Sequence, residues 1–289
     1  MENNFKNKVY LCSFASHDLN LSVNRFISQA KDMKIYEDIK VFRPSDFSDE
    51  LKARIKKLFK QGGKNRYYGF DSWRPEIIKR YIKDLPDGSI LHYSDIGNHL
   101  NRNGVQRLND YISMTEKYNM TVFDYGEPSL QFKNYNYKFQ KYMEYQFTKA
   151  DILKYFNLTN ESEIFNSAQV WGGTFFLKKS NFSSNFLNQW ELANQNTELL
   201  DDSPSINENH KKFVGMRGCQ SIFSIISKLN NVNKLSASEC DWAENNLKRV
   251  WDHLDNYPIL AKRDKQFNIF KRFLNRQKKT LNRYLKKLR

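Results

Sequence analysis

The opening of the chain constrains its fold most. Residues 8–16 read KVYLCSFAS, an apolar run closing in small polar residues, which predicts a buried strand entering a loop. From about Leu21 to Met33, Val23, Phe26, Ile27 and Ala30 share one helical face. IKVFRP then predicts a second strand, which Pro44 stops. Strand, helix and strand in that order imply a parallel sheet with a right-handed crossover. Ligands of such sheets bind beyond the carboxyl ends of the strands, where the Ser13–Ser16 loop is expected.

The pattern continues through the chain. Residues 51–61 predict a cationic amphipathic helix broken by Gly62-Gly63. Pro75 opens a further helix carrying Ile77, Ile78, Tyr81, Ile82 and Leu85, and Pro86-Asp87-Gly88 turns the chain into the strand SILHYSDIG. Residues 105–118 predict a helix and TVFDY a strand. A helix is expected from near Thr148 to Leu158. VWGGTFFLKKS predicts a strand whose glycine pair marks a close backbone approach, and residues 182–195 and 219–229 predict two more helices. The expectation is a single α/β, Rossmann-like domain over residues 1–265, with a mostly parallel sheet flanked by helices.

Composition narrows the class. Of 289 residues, 39% are apolar and 15% aromatic, enough for a core without staples. Cys12, Cys219 and Cys240 are odd in number and lack metal-ligand spacing, which favours a reducing compartment. The N-terminus has no extended apolar core, and no stretch approaches the roughly 18 apolar residues of a spanning helix. The expectation is a cytoplasmic protein that is neither exported nor integral.

The charge is unevenly placed. Nine Lys or Arg and no acid lie between Gln266 and Arg289, so this tail carries +9 of the formal +15 and the body only +6. Phe267, Phe270, Leu274, Leu281, Leu285 and Leu288 recur at helical spacing there, which predicts an amphipathic helix with a cationic face. Such a helix suits an anionic membrane surface, where each cation contributes about 1 kcal/mol. Nucleic acid is the poorer partner, because the body is nearly balanced and carries no helix-turn-helix, RNP, KH or zinc-finger pattern.

The most informative local pattern is Tyr93-Ser94-Asp95-Ile96-Gly97, an acid closing an apolar strand before a glycine. A carboxylate there can hold a divalent cation against a diphosphate or accept from a ribose hydroxyl. Strand-end aspartates also commonly cap helices or fix turns. The surrounding motifs are Trp73-Arg74-Pro75, Leu85-Pro86-Asp87-Gly88, Asn101 and Gly104. Downstream lie Thr148-Lys149-Ala150-Asp151, the strand from Gln169 to Lys179, Trp190, Tyr257-Pro258 and Arg263. Together they resemble a family of bacterial glycosyltransferases with a GT-A-like fold, found in polysaccharide and lipooligosaccharide gene clusters, over nearly all of residues 8–265.

The resemblance implies a nucleotide-sugar donor and a cell-surface glycan or lipid-linked glycan acceptor of capsule, lipooligosaccharide or O-antigen type, and leaves a divalent Mn2+ or Mg2+ ion open. Asp95 would bind the metal, or the donor ribose if none is used. Arg74 and Lys149, near helix N-termini, would suit the diphosphate. Asp71 and Ser13 would contact the donor, and Gly97 would let backbone approach it. Trp73 would offer an apolar face, or else pack in the core. Gln220 would hydrogen-bond a sugar hydroxyl beside Arg217, and His253 or His99 would supply an imidazole.

The chain departs from the family at one motif. Members generally read His-Arg-x-Asp-Gln-Ser before the last core helix, whereas this chain has Met216-Arg217-Gly218-Cys219-Gln220-Ser221. Arg217, Gln220 and Ser221 match, while the His and Asp are replaced. Three outcomes are open: chemistry without that acid, substitution by Glu239 or Asp241, or a weakened relative serving as a scaffold in glycan assembly.

Overall fold

The computed structural model describes residues 7–65 and 67–264, with the backbone alone at 65 and 67; the basic helix expected over 266–289 lies outside the described residues. Six strands form the central sheet: β1 (Val9–Phe14), β2 (Asp38–Phe42), β3 (Ile90–Ser94), β4 (Met120–Asp124), β5 (Val170–Lys178) and β6 (Asn233–Ser236). Their spatial order is β2-β1-β3-β5-β4-β6. β1 is parallel to both β2 and β3, and β4 is parallel to β6. β5 runs antiparallel to β3 and β4. The expected α/β, mostly parallel sheet is therefore present, with one reversed strand.

Helices cover both faces, which is why the inner strands are buried nearly throughout rather than alternating with exposed polar residues. On one face lie α1 (Asn20–Met33) and a helix of residues 105–118. On the other lie α2 (Asp49–Lys60), α3 (Arg74–Asp84), and two helices of residues 181–195 and 219–229. In chain order the later helices are α4 (Val105–Tyr118), α5 (Ala150–Tyr155), α6 (Asn181–Gln195) and α7 (Cys219–Leu229). Along β1, Tyr10, Cys12 and Phe14 enter the α3 side, while Val9 and Leu11 enter the α1 side. Trp190 of α6 is fully buried, its ring 4.8 Å from that of Phe223 on α7. Truncating such a side chain to alanine costs about 3–5 kcal/mol.

Local signals place the helix ends. The Ser48 hydroxyl accepts from the Leu51 amide at the start of α2, with Asp49 and Glu50 in the first turn. Ser48 also donates to Glu76, tying α2 to the Pro75 turn that opens α3. The helix expected from Thr148 to Leu158 is shorter than predicted. Asn209 Oδ1 takes the Ala150 amide, and left-handed Asn157 ends the run. A small three-stranded sheet joins Lys138–Phe139, Ala243–Asn245 and Lys248–Val250, and packs an aromatic cluster around Phe132, Phe139, Trp251 and Tyr257.

Candidate active site

The carboxyl end of β3 carries the site. Tyr93 pairs with Cys12 across the sheet and shares its face, so its ring is buried on the α3 side while Asp95 emerges just past the strand. The Asp95 amide donates to Gly173 O at 2.8 Å, fixing the turn against β5. Arg74, in the first turn of α3, reaches in beneath this turn with its side chain 3% exposed. Its Nη2 donates to Asp71 Oδ2 at 2.9 Å and to Asp95 Oδ1 at 3.2 Å, and its Nε donates to the Tyr93 hydroxyl at 3.1 Å. That hydroxyl in turn donates to Asp95 Oδ1 at 2.7 Å.

Burial opposes the guanidinium charge here. The flanking Asp71, Tyr93 and Asp95 nonetheless hold Arg74 well above its ordinary value. The backbone before it is strained: Tyr68, Gly69, Phe70 and Asp71 all have positive φ, from 50° to 81°. Such runs persist only where surrounding structure over-determines them, and they cluster at functional sites. Gly218, which precedes α7, abuts this loop, since a Cβ there would lie 2.8 Å from Phe70 O.

Across β5, the start of α7 supplies the other wall. Gln220 Oε1 accepts from the Gly172 amide at 3.2 Å, and its Nε2 donates to Gln169 Oε1 at 3.0 Å. Arg217 Nη1 reaches the same oxygen at 3.2 Å, with its guanidinium 3.7 Å from the Phe147 ring centre and 4.2 Å from that of Tyr142. Gln169 is oriented from behind, because its Nε2 donates to buried Glu144, an acceptor that Lys228 and Thr148 also hold. Gly172 joins the two walls. A Cβ on it would lie 3.0 Å from Arg74 Nη1 and 3.4 Å from Gln220 Cγ, so the glycine lets Arg74 and Gln220 approach closely.

A third side closes over Gly97. A Cβ there would meet Arg263 Cα at 3.2 Å, and the Asp264 amide donates to Gly97 O at 2.9 Å. Arg25 of α1 holds the same turn through Ile96 O and Asn98 O, both at 2.7 Å. Arg263 Nη2 lies 3.6 Å from Asp241 Oδ2, and the Tyr125 hydroxyl donates to that oxygen at 3.1 Å. Burial raises the Asp241 carboxyl above its ordinary value, with Arg263 and Arg217 acting against that rise.

The structure therefore brings together Asp71, Arg74, Asp95, Arg217 and Gln220. Several expectations are corrected. Trp73 is 3% exposed with its ring 4.0 Å from Phe14, so it packs in the core and presents no face to a ligand. The Lys149 ammonium is buried on Asp201, Glu198 O and Ser203, so it is spent internally and joins no group of the Arg74 cluster. Ser13 is fully buried on the sheet face opposite Cys12 and Tyr93, and its hydroxyl meets no partner among the described residues. Gly97 approaches the chain's own residues 263 and 264. Glu239 is saturated by Arg107, Tyr111 and Ser129 and is a structural acid. Gln169, Tyr93 and Arg263 stand in the sequence motifs without tasks, Tyr125 stands only as the last residue of the strand TVFDY, and Tyr142 in none.

The expected divalent cation meets no ready-made cage of side chains among the described residues. Mg2+ is commonly held by one or two carboxylates together with substrate phosphates and water, and here Asp95 Oδ1 and Asp71 Oδ2 are turned to Arg74. His253 sits instead in the aromatic cluster of Phe132 and Phe139, its pKa lowered by burial. His99 is held by Asp264 and Gln29. Among the described residues no three His, Cys, Asp or Glu side chains are grouped to hold a metal ion.

No protein-family model and no curated protein sequence matches the chain. Among solved structures, the chain is similar to mouse xyloside xylosyltransferase 1 in its apo form, at TM-score 0.37 and 10% identity, covering 81% of this chain and 87% of that one. It is also similar to the apo WbbM bifunctional glycosyltransferase, at TM-score 0.39 and 11% identity. There it covers 83% of this chain and 40% of that one.

Proposed function

We propose that this protein is a GT-A-like glycosyltransferase that moves a sugar from a nucleotide-sugar donor to a cell-surface glycan or lipid-linked glycan acceptor. The observation that carries the reading is the convergence of the Tyr-x-Asp-x-Gly acid, Asp95, with Arg74, Gln220 and Arg217 around the carboxyl end of β3. Those residues come from three separated motifs of the sequence resemblance.

In this reading Asp95, whose carboxylate is 40% exposed, accepts from a donor hydroxyl, and Gln220 hydrogen-bonds the sugar. Arg74 is a positioning residue: buried beneath Asp95, it donates to the carboxylate and fixes its direction. The replacement of the family's Asp by Cys219 leaves these groups in place. Cys219 is fully buried, and its sulfur accepts from Asn194 at 3.2 Å, so an acid there would not face solvent. That weakens the scaffold reading.

The tail of residues 266–289 is proposed to hold the enzyme at the inner face of the cytoplasmic membrane, where lipid-linked acceptors lie. No helix of the described residues is long and apolar enough to cross a membrane. Thermal stabilisation by UDP, GDP, CMP and dTDP sugars tests the donor assignment. A ligand at 100 times its Kd adds about 2.7 kcal/mol of apparent stability; no shift with any of them would contradict it.

A further inference from the structure

We propose that the hairpin of residues 243–250 inserts its tip, Leu247, into an anionic lipid bilayer and so fixes how the body of the protein faces the membrane. This contact adds to the one assigned to residues 266–289 and rests on the membrane-face reading of the acceptor.

The hairpin turns in two residues. Asn245 pairs with Lys248 across it, and Asn246 and Leu247 between them both have positive φ, 49° and 63°. Two-residue turns of this hand favour asparagine followed by glycine. Asn246 suits its place, whereas Leu247 holds a left-handed backbone that a Cβ disfavours. At 91% exposed it is also the most open large apolar side chain among the described residues. Strain and exposure both weigh on the protein in water. A bilayer removes the second by taking the side chain out of water.

The flanks of the tip suit a charged lipid surface. Lys248 and Arg249 follow Leu247 directly, and Lys138 stands on the neighbouring strand. Register puts the acid Glu244 between Lys138 and Arg249, and the Arg249 guanidinium lies 4.3 Å from the Trp242 ring centre. Tyr137 meets Asn245, the residue before the turn, and donates to Asp252 at 2.7 Å. Its ring is 5.1 Å from that of exposed Tyr135. An apolar tip flanked by cations and amphipathic aromatics is the composition that settles at the headgroup level.

The base of the hairpin is rigid. Ala243 is fully buried, and Phe139 beside it packs on Phe132 and His253. The first strand begins two residues after Asp241, which accepts from Tyr125 in the wall of the site. A tip held in the bilayer therefore sets the direction of that wall. One leucine with a few cations binds a bilayer only marginally, so residues 266–289 carry the attachment and the hairpin orients the body.

The test uses full-length Leu247→Cys labelled at the thiol with the environment-sensitive fluorophore NBD. Cys12, Cys219 and Cys240 are all buried, so labelling is selective. With vesicles of phosphatidylcholine and phosphatidylglycerol the label is expected to brighten and to be quenched by spin labels on the acyl chains. A label on Ile206→Cys, at a position 86% exposed, should not respond. Leu247→Asn, which suits the left-handed turn, should weaken vesicle binding about tenfold while keeping or raising the melting temperature. Bound protein without quenching at position 247, or with equal quenching at 206, overturns the insertion and leaves the tail as the anchor. Brightening without vesicles that grows with protein concentration makes the tip a contact between copies of this chain and also overturns it. No binding to these vesicles overturns the membrane-face reading and the insertion together.

Discussion

Arg74 and Asp95 stand 21 residues apart in the sequence, and their side chains meet at 3.2 Å, the guanidinium buried and the carboxylate half open. The pair orders the site because Arg74 binds Asp71 with the same nitrogen and Tyr93 with another. Removing the cation would take from Asp71, Asp95 and the Tyr93 hydroxyl the guanidinium that all three share. Arg74→Met is therefore expected to lower unfolding free energy by about 3–5 kcal/mol. Urea denaturation measures this, and a loss below about 1 kcal/mol would contradict the arrangement.

Cys219 allows a test of the departed family motif. Its thiol, pushed up to about 12 by burial, is neutral and lies behind Arg74. Cys219→Asp is expected to give no gain in sugar transfer, because the new carboxylate would not reach a bound acceptor. A large gain would show that the acid belongs to the chemistry.

His92 sets a dependence of stability on pH. Its Nε2 meets Thr174 at 2.9 Å, its Nδ1 meets Tyr36 at 2.8 Å, and burial pushes its pKa down to about 3. An unfolded imidazole protonates below about 6.5. The unfolded state therefore takes the proton first, so this contribution is intact above pH 6.5 and lost as pH falls toward 3. The expected slope is about 1.4 kcal/mol per pH unit in that window. His92→Gln keeps hydrogen bonding without titrating and should flatten the difference; parallel curves for the two proteins would contradict it.

Much of the fold was legible because periodicity is local. Residues 105–118 and 219–229 were expected as helices, and α4 and α7 occupy those ranges. The direction of β5 was not legible, since a strand buried on both faces carries no mark of orientation. The glycine pair did mark a close approach, and Gly172 makes it with Arg74 and Gln220. Burial separated the candidate residues in ways that residue type could not. Trp73 and Arg74 are neighbours in one motif, yet the first joins Phe14 in the core and the second lies beneath Asp95. Lys149 reads like Arg74 at a helix start, but its partner Asp201 is 52 residues away in the sequence. Tyr125 and Tyr142 gave no signal of a role, because their meaning comes from Arg217, brought between them by α7.

The basic tail is expected to act apart from the catalytic body. Truncation after Lys265 should release the protein from anionic liposomes while preserving donor binding. Attachment of the full chain should weaken with salt, because exposed charges are screened over roughly 8–10 Å at physiological ionic strength. Undiminished liposome binding by the truncated protein would contradict the assignment.

The central claim is tested most directly by nucleotide release from a panel of UDP-, GDP-, CMP- and dTDP-sugars, comparing the wild-type protein with Asp95→Asn. The account predicts release from one donor class by the wild type, and at least about a 100-fold loss in the variant with its melting temperature preserved, the scale seen when one transition-state contact is removed. Release by Asp95→Asn at the wild-type rate, or none from any donor by the wild type, would contradict it.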